Sequence, residues 1–189
     1  MPVTAPANAD GKTIVNLTST AAGVWTVSTG TLWLNAGATT PYAGTSITSV
    51  YWKVGNLTGT AQIACGAAQA STSVMAVFPG KIQYGSFAWN EDRAGIVTGK
   101  TRSGKTVGRV LGDGQFQRLH QVGCKNANRT DALELLEFGR LHYPGLIFRL
   151  TDDWSGLAGY FQLASPVKAT VNSIQRIDWS ADLIQMPNP

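Results

Sequence analysis

The sequence predicts a mainly β fold, an antiparallel β-sandwich or barrel with one flanking α-helix at about residues 130–139, and three observations predict it. Ile177, Trp179, Ala181 and Leu183 alternate with Asp178, Ser180 and Asp182, a period of two that puts one face of a strand on a core and the other in water. Short runs rich in Val, Ile, Thr and Trp recur along the chain between Gly, Asn, Ser and Pro. Only one segment combines helical periodicity with a start and a stop signal.

Taken in order, residues 1–20 open Pro- and Ala-rich without periodicity and read as an extended N-terminal arm. Strands are expected at 13–18, 24–28, 31–35, 47–54, 61–64 and 74–78. Further on, 109–111 and 115–119 flank Gly112, Asp113 and Gly114, residues that tolerate positive φ and so suit a hairpin turn. The helix is expected to be capped by the Thr130 hydroxyl, to carry Asp131 near its positive end, and to dock through Leu133, Leu136 and Phe138 before Gly139 and Pro144 end it. Strands at 146–150, 158–164, 166–171 and 173–184 complete the chain. No segment repeats at a fixed period.

At 189 residues the chain is expected to form a single domain, 1–189, long enough to bury roughly 70% of its unfolded surface. Charged residues make up 14%, against about 25% in an average soluble domain. Residues 1–80 carry only Asp10, Lys12 and Lys53, so the charge belongs to the second part. A net charge of +4 falls short of a nucleic-acid binder's signature unless it clusters. Cys65 and Cys124 give no disulfide framework and have no His or Cys at metal-ligand spacing, so free, packed thiols and no metal are expected. Neither a signal peptide nor an apolar run long enough to span a membrane is present. The sequons at Asn16, Asn56 and Asn128 matter only in a secreted chain and are discounted.

Residues 99–106, GKTRSGKT, satisfy the phosphate-loop pattern through Gly99, Gly104, Lys105 and Thr106. That chemistry needs a helix starting at the lysine, whose amides and dipole hold the phosphates. Instead VGRVLGDG follows, where Val107, Val110 and three glycines oppose a helix, so the match reads as spurious and no cofactor is expected. The same stretch reads better as a long basic hairpin loop over 95–109. Lys100, Arg102, Lys105 and Arg109 occur there with no acid between Arg93 and Asp113. An acidic surface on a neighbouring subunit suits them better than nucleic acid, since no aromatic residues interleave for base stacking.

No other constellation carries chemistry. His120 and His142 are the only histidines and read as surface or capping residues, no serine sits in a nucleophile elbow, and Asp152 and Asp153 read as a polar turn. The six tryptophans are expected as core or interface anchors. The sequence therefore predicts neither an enzyme nor a small-molecule substrate.

From Arg109 to Ile184 the order of elements resembles the tail-assembly proteins of long-tailed bacteriophages. VLGDGQF stands where these place a hairpin, DALELLEF their helix, and GLIFRLTDD, GYFQLASPVKATV and RIDWSADLIQ the strands that follow. Tail-tube, distal-tail and tail-terminator proteins share a β-sandwich or barrel with one flanking helix, so the resemblance implies a virion structural protein made in a host cytoplasm. It implies rings of six subunits whose strands line a lumen that DNA passes through, a hairpin at 95–109 bridging to the next ring, and an arm at 1–20 lying on a neighbour. The partners implied are copies of this chain and other tail proteins, with no membrane. The tail tube comes first, with a tip or terminator ring as the alternative. The Gly-, Ser-, Thr- and Ala-rich first part has no counterpart in that pattern, which also leaves open a capsid-decoration or receptor-binding β-sandwich.

Overall fold

The computed structural model describes residues 2–83, 88–93, 96–100, 106–110, 116–153 and 155–186, and for the described parts of 88–119 the backbone alone. The fold is mainly β, with largely antiparallel sheets and one α-helix among the described residues. The chain divides into two compact units where the sequence predicts one domain: unit 1 is Met1–Phe78 with Leu146–Arg149, and unit 2 is Pro79–Gly145 with Leu150–Pro189. The step in charge after residue 80 falls at the first of these boundaries, whereas nothing in the sequence marks the return of 146–149 to unit 1.

Unit 1 holds β1 (Val3–Thr4), β2 (Asn8–Asp10), β3 (Ile14–Gly23), β4 (Trp25–Val27), β5 (Thr31–Trp33), β6 (Ile47–Lys53), β7 (Gly59–Cys65) and β8 (Ala68–Met75). They form two four-stranded sheets, ordered β1-β3-β6-β5 and β2-β8-β7-β4. Alternation supplies the core. Leu17, Val50 and Trp52 come from the first sheet, and Trp25, Ala61, Ile63, Cys65 and Val74 from the second. Two buried indoles keep their N–H groups satisfied, Trp52 donating to the Thr29 carbonyl at 2.8 Å and Trp25 to that of Ile47 at 2.9 Å. Gly30 turns the chain between β4 and β5 at φ +82°, where a Cβ would collide with the Lys53 carbonyl.

The expected arm is not free of the fold. β1 pairs antiparallel with β3, β2 pairs parallel with β8, and residues 14–23 form β3. Both short strands are edges of their sheets, where Pro2 and Pro6 are tolerated, and they are too short for any periodicity to show. The segment Leu146–Arg149 belongs to this unit: Arg149 donates its N–H to Ala76, accepts from Phe78, and pairs with Asp10 at 2.5 Å.

Unit 2 holds β9 (Ala88–Arg93), β10 (Ile96–Lys100), β11 (Thr106–Val110), β12 (Phe116–Asn128), α1 (Arg129–His142), β14 (Leu157–Leu163), β15 (Lys168–Ser173) and β16 (Arg176–Met186), together with β13 (Phe148–Asp152), which begins in the unit 1 segment. Its sheet runs β13-β14-β16-β12-β9, with β15 also paired to β16. On β16 Ile177, Trp179, Ala181 and Leu183 are all buried, alongside Val122, Phe161 and Leu163.

The helix packs against β12, β14, β15 and β16, but through a neighbouring stripe to the one predicted. Ala132, Leu135, Phe138, Gly139 and His142 are buried, whereas Leu133 is 47% exposed and Leu136 half-buried. Leu133 shares its face with Glu137 and Arg140, which pair with each other in solvent, so the docking stripe is one residue out of phase with that choice. Asn128, rather than Thr130, is the N-cap, its side chain accepting from the Thr130 N–H at 3.0 Å. Gly139 does not end the helix. It lets Val167 approach, since a Cβ there would lie 2.6 Å from the valine Cγ2.

Candidate functional site

Within the expected hairpin at 95–109, the described residues form two paired strands, β10 (Ile96–Lys100) and β11 (Thr106–Val110). β10 and β11 pair antiparallel with Gly99 opposite Val107, Lys100 opposite Thr106 and Val97 opposite Arg109. Arg102, Gly104 and Lys105 lie outside the described residues. In the six-stranded sheet of unit 2, β9 pairs with β12 from Arg93 opposite Phe116 to Ala88 opposite Gln121. The predicted pairing of 109–111 with 115–119 is therefore corrected: β11 pairs with β10, and Phe116–Gln121 with β9. β9 was not expected, because AWNEDR is charged and carries no alternation.

This geometry removes the backbone a phosphate loop requires. Thr106 opens a strand instead of a helix, and the peptide groups at Gly99 and Val107 face each other in a ladder. Among the described residues the next helix starts at Arg129.

The remaining sequence candidates are structural. His142 is fully buried and stacks on Phe138 at 3.9 Å between centroids, with Nδ1 2.9 Å from the Phe138 carbonyl. Burial pushes its pKa below the ordinary histidine value, partly opposed by that carbonyl, so the ring is a neutral core group. His120 is also buried, edge-on to Phe161. Both positions correct the surface half of the surface-or-capping reading, while His142, in the last turn of the helix, does meet a helix carbonyl. Asp152 accepts from the N–H and hydroxyl of Ser155 and so closes a turn. Cys65 and Cys124 are free thiols, and burial together with Asp178 and Asp131 raises the Cys124 pKa, away from the reactive thiolate. Among the described residues no group of His, Cys, Asp and Glu gathers to hold a metal.

A different surface emerges on the outer face of the first unit 1 sheet. Leu32 and Trp52 point to the core, so their neighbours Trp33 and Tyr51 point outward, directly opposite each other. Asn16 continues the row on β3. One flanking row holds Thr31, Lys53 and Ile14, and the other Ser49, Thr18 and Thr4. The Trp33 indole donates to the Thr31 hydroxyl at 2.8 Å, and the Ser49 hydroxyl to the side-chain Oδ1 of Asn16 at 2.8 Å. Sequence reasoning missed this face although one signal was present: Tyr51 and Trp52 are adjacent on a strand, so one of the two must point away from the core.

Compared with known proteins, the chain matches no protein-family model and no curated protein sequence.

Proposed function

We propose that this protein is a structural component of a phage tail, assembling with copies of itself into stacked, six-subunit rings of the tail tube. The observation that carries the reading is the basic hairpin: Lys100 and Arg109 stand on the paired strands β10 and β11, Arg102 and Lys105 fall between them in the sequence, and Thr106 opens a strand where a nucleotide site needs a helix. The order of helix and strands from Arg129 to Ile184, the low overall charge and the resemblance to tail proteins support it. A subunit packed on several sides needs few charges to stay soluble. The hairpin cations then meet acidic groups of a neighbouring copy, other tail proteins cap the stack, and DNA passes through the lumen. No catalytic step is proposed, and the place of action is the virion. A tip or terminator ring is the same reading with another position in the tail.

One observation favours a second reading. Unit 1 closes a sandwich core of its own, the architecture of a capsid-decoration or receptor-binding module.

The ring reading is tested by replacing Lys100, Arg102, Lys105 and Arg109 with glutamine and following assembly by light scattering over a range of salt. Assembly is expected to weaken and lose its salt dependence while the circular dichroism spectrum stays unchanged. Normal, salt-dependent polymerisation of that variant sinks the hairpin assignment.

A further inference from the structure

We propose that the outer face of the sheet β1-β3-β6-β5 is a binding platform for an uncharged polysaccharide chain, with Trp33 and Tyr51 as its stacking surface. The inference deepens the binding-module reading and rests on unit 1 acting as that module; the ring reading does not bear on it.

Three features carry it. The first is the paired aromatics: Trp33 on β5 and Tyr51 on β6 are cross-strand partners on the wet side of a sheet, each half-buried, where strand alternation with a core beneath calls for polar residues. Neighbouring strands lie about 4.8 Å apart, a spacing comparable with one pyranose ring, so two such residues present successive supports to an extended sugar chain. The second is the rim. Asn16, Ser49 and Thr31 are exposed and offer amide and hydroxyl groups, able to donate and accept, beside the aromatic row. A pyranose has the complementary form, an apolar C–H face that packs on the negative face of an aromatic ring and a hydroxyl edge that hydrogen-bonds. The indole of Trp33 is already held by Thr31, so this side chain is ordered before any ligand arrives.

The third is charge. The three rows of this face carry Lys53 as their single charged residue, and Lys53 is exposed. A nucleic acid or an acidic glycan calls for more cations than this. A second copy of the chain is the competing occupant, since Trp and Tyr also anchor protein interfaces. An interface core of that kind is mostly apolar, however, and here Ile14 and Pro41, which bridges to Trp33, are the aliphatic groups among hydroxyls, an amide and an ammonium.

The experiment is affinity electrophoresis of the full chain in native gels cast with dextran, laminarin or hydroxyethylcellulose, three neutral glucans of different linkage. At least one should retard the protein. Trp33→Ala and Tyr51→Ala should each weaken the retardation about tenfold, Trp33→Phe should retain most of it, and Val171→Ala, an exposed residue of unit 2, should leave it unchanged. Thermal melting of each variant confirms folding. Retardation by none of the three glucans overturns the proposal, as does retardation that both alanine variants leave intact. If no glucan binds and Trp33→Ala instead lowers the sedimentation coefficient, the face is a contact between copies and the proposal is wrong. The four-glutamine hairpin variant should bind the glucan normally, so a failed platform and a failed ring give different results.

Discussion

The two units solve the same problem differently. Unit 1 covers the inner face of one sheet with a second sheet, and its wet outer face carries neutral polar groups around two aromatics. Unit 2 covers its sheet with a single helix, and the wet face of β16 carries carboxylates. Those carboxylates are engaged: Asp178 accepts from the Asn126 N–H and the Asn172 amide, each at 2.6 Å, and Asp182 from the Ser165 hydroxyl at 2.8 Å. The Asn126 contact pins the irregular step between Cys124 and Ala127, where Asn126 takes φ +54°. The outer face of the unit 1 sheet thus holds its polar groups in short contacts along the face, Trp33 with Thr31 and Ser49 with Asn16, while the outward carboxylates of unit 2 hold the sheet's own irregularities. The first arrangement suits recognition of a neutral ligand, and the second suits a scaffold for the charged hairpin.

The largest break in this comparison comes from the centre of unit 1. Trp52 is fully buried and its indole N–H is satisfied, so Trp52→Ala should cost about 3–5 kcal/mol, lost packing and a cavity together. Hydrogen exchange should place the loss on amides of β3, β6 and β7. Uniform loss over β12 and β16 as well would mean the two cores are not separate.

Next in size is the helix register. Leu135→Ala, at a fully buried site, should destabilise unit 2 by about 2–5 kcal/mol, while Leu133→Ala at its exposed neighbour should stay within about 0.5 kcal/mol. Chemical denaturation separates the two, and equal costs would contradict the docking stripe.

The smallest effect is a pH dependence confined to unit 2. The folded state holds the His142 pKa below its ordinary value, so the unfolded chain binds a proton more readily. The stabilisation is present above about pH 6.5 and is lost as pH falls through and below it. His142→Phe should flatten the melting temperature between about pH 7.5 and pH 5, and an unchanged slope would assign the dependence elsewhere.

What the sequence made legible follows from the length of each pattern. Ile177 to Leu183 repeats a period of two often enough to identify both the strand and its buried face, and the structure buries all four residues. The helix was visible as an element, but two stripes one residue apart, Leu133 with Leu136 and Leu135 with Phe138, are both apolar, and the choice between them rests on tertiary packing against β12, β14, β15 and β16 and on the close approach of Val167 to Gly139. β1 and β2, of two and three residues, are too short to show a period, and their pairing depends on β3 and β8 far along the chain. The basic hairpin could be located because charge, glycine and β-branched residues coincide there. The pairing of Trp33 with Tyr51 could not, since it is set across β5 and β6 by register, and tryptophan content pointed to core or interface anchors without saying which; adjacent Tyr51 and Trp52 showed only that one of the two faces outward.

The central claim is self-assembly into rings, and negative-stain electron microscopy of the purified chain, paired with its mass by light scattering over a range of concentrations, tests it most directly. Rings or tubes of six subunits, growing with concentration, are the predicted result. A strictly monomeric or trimeric particle at every concentration would contradict it and leave the binding-module reading in its place.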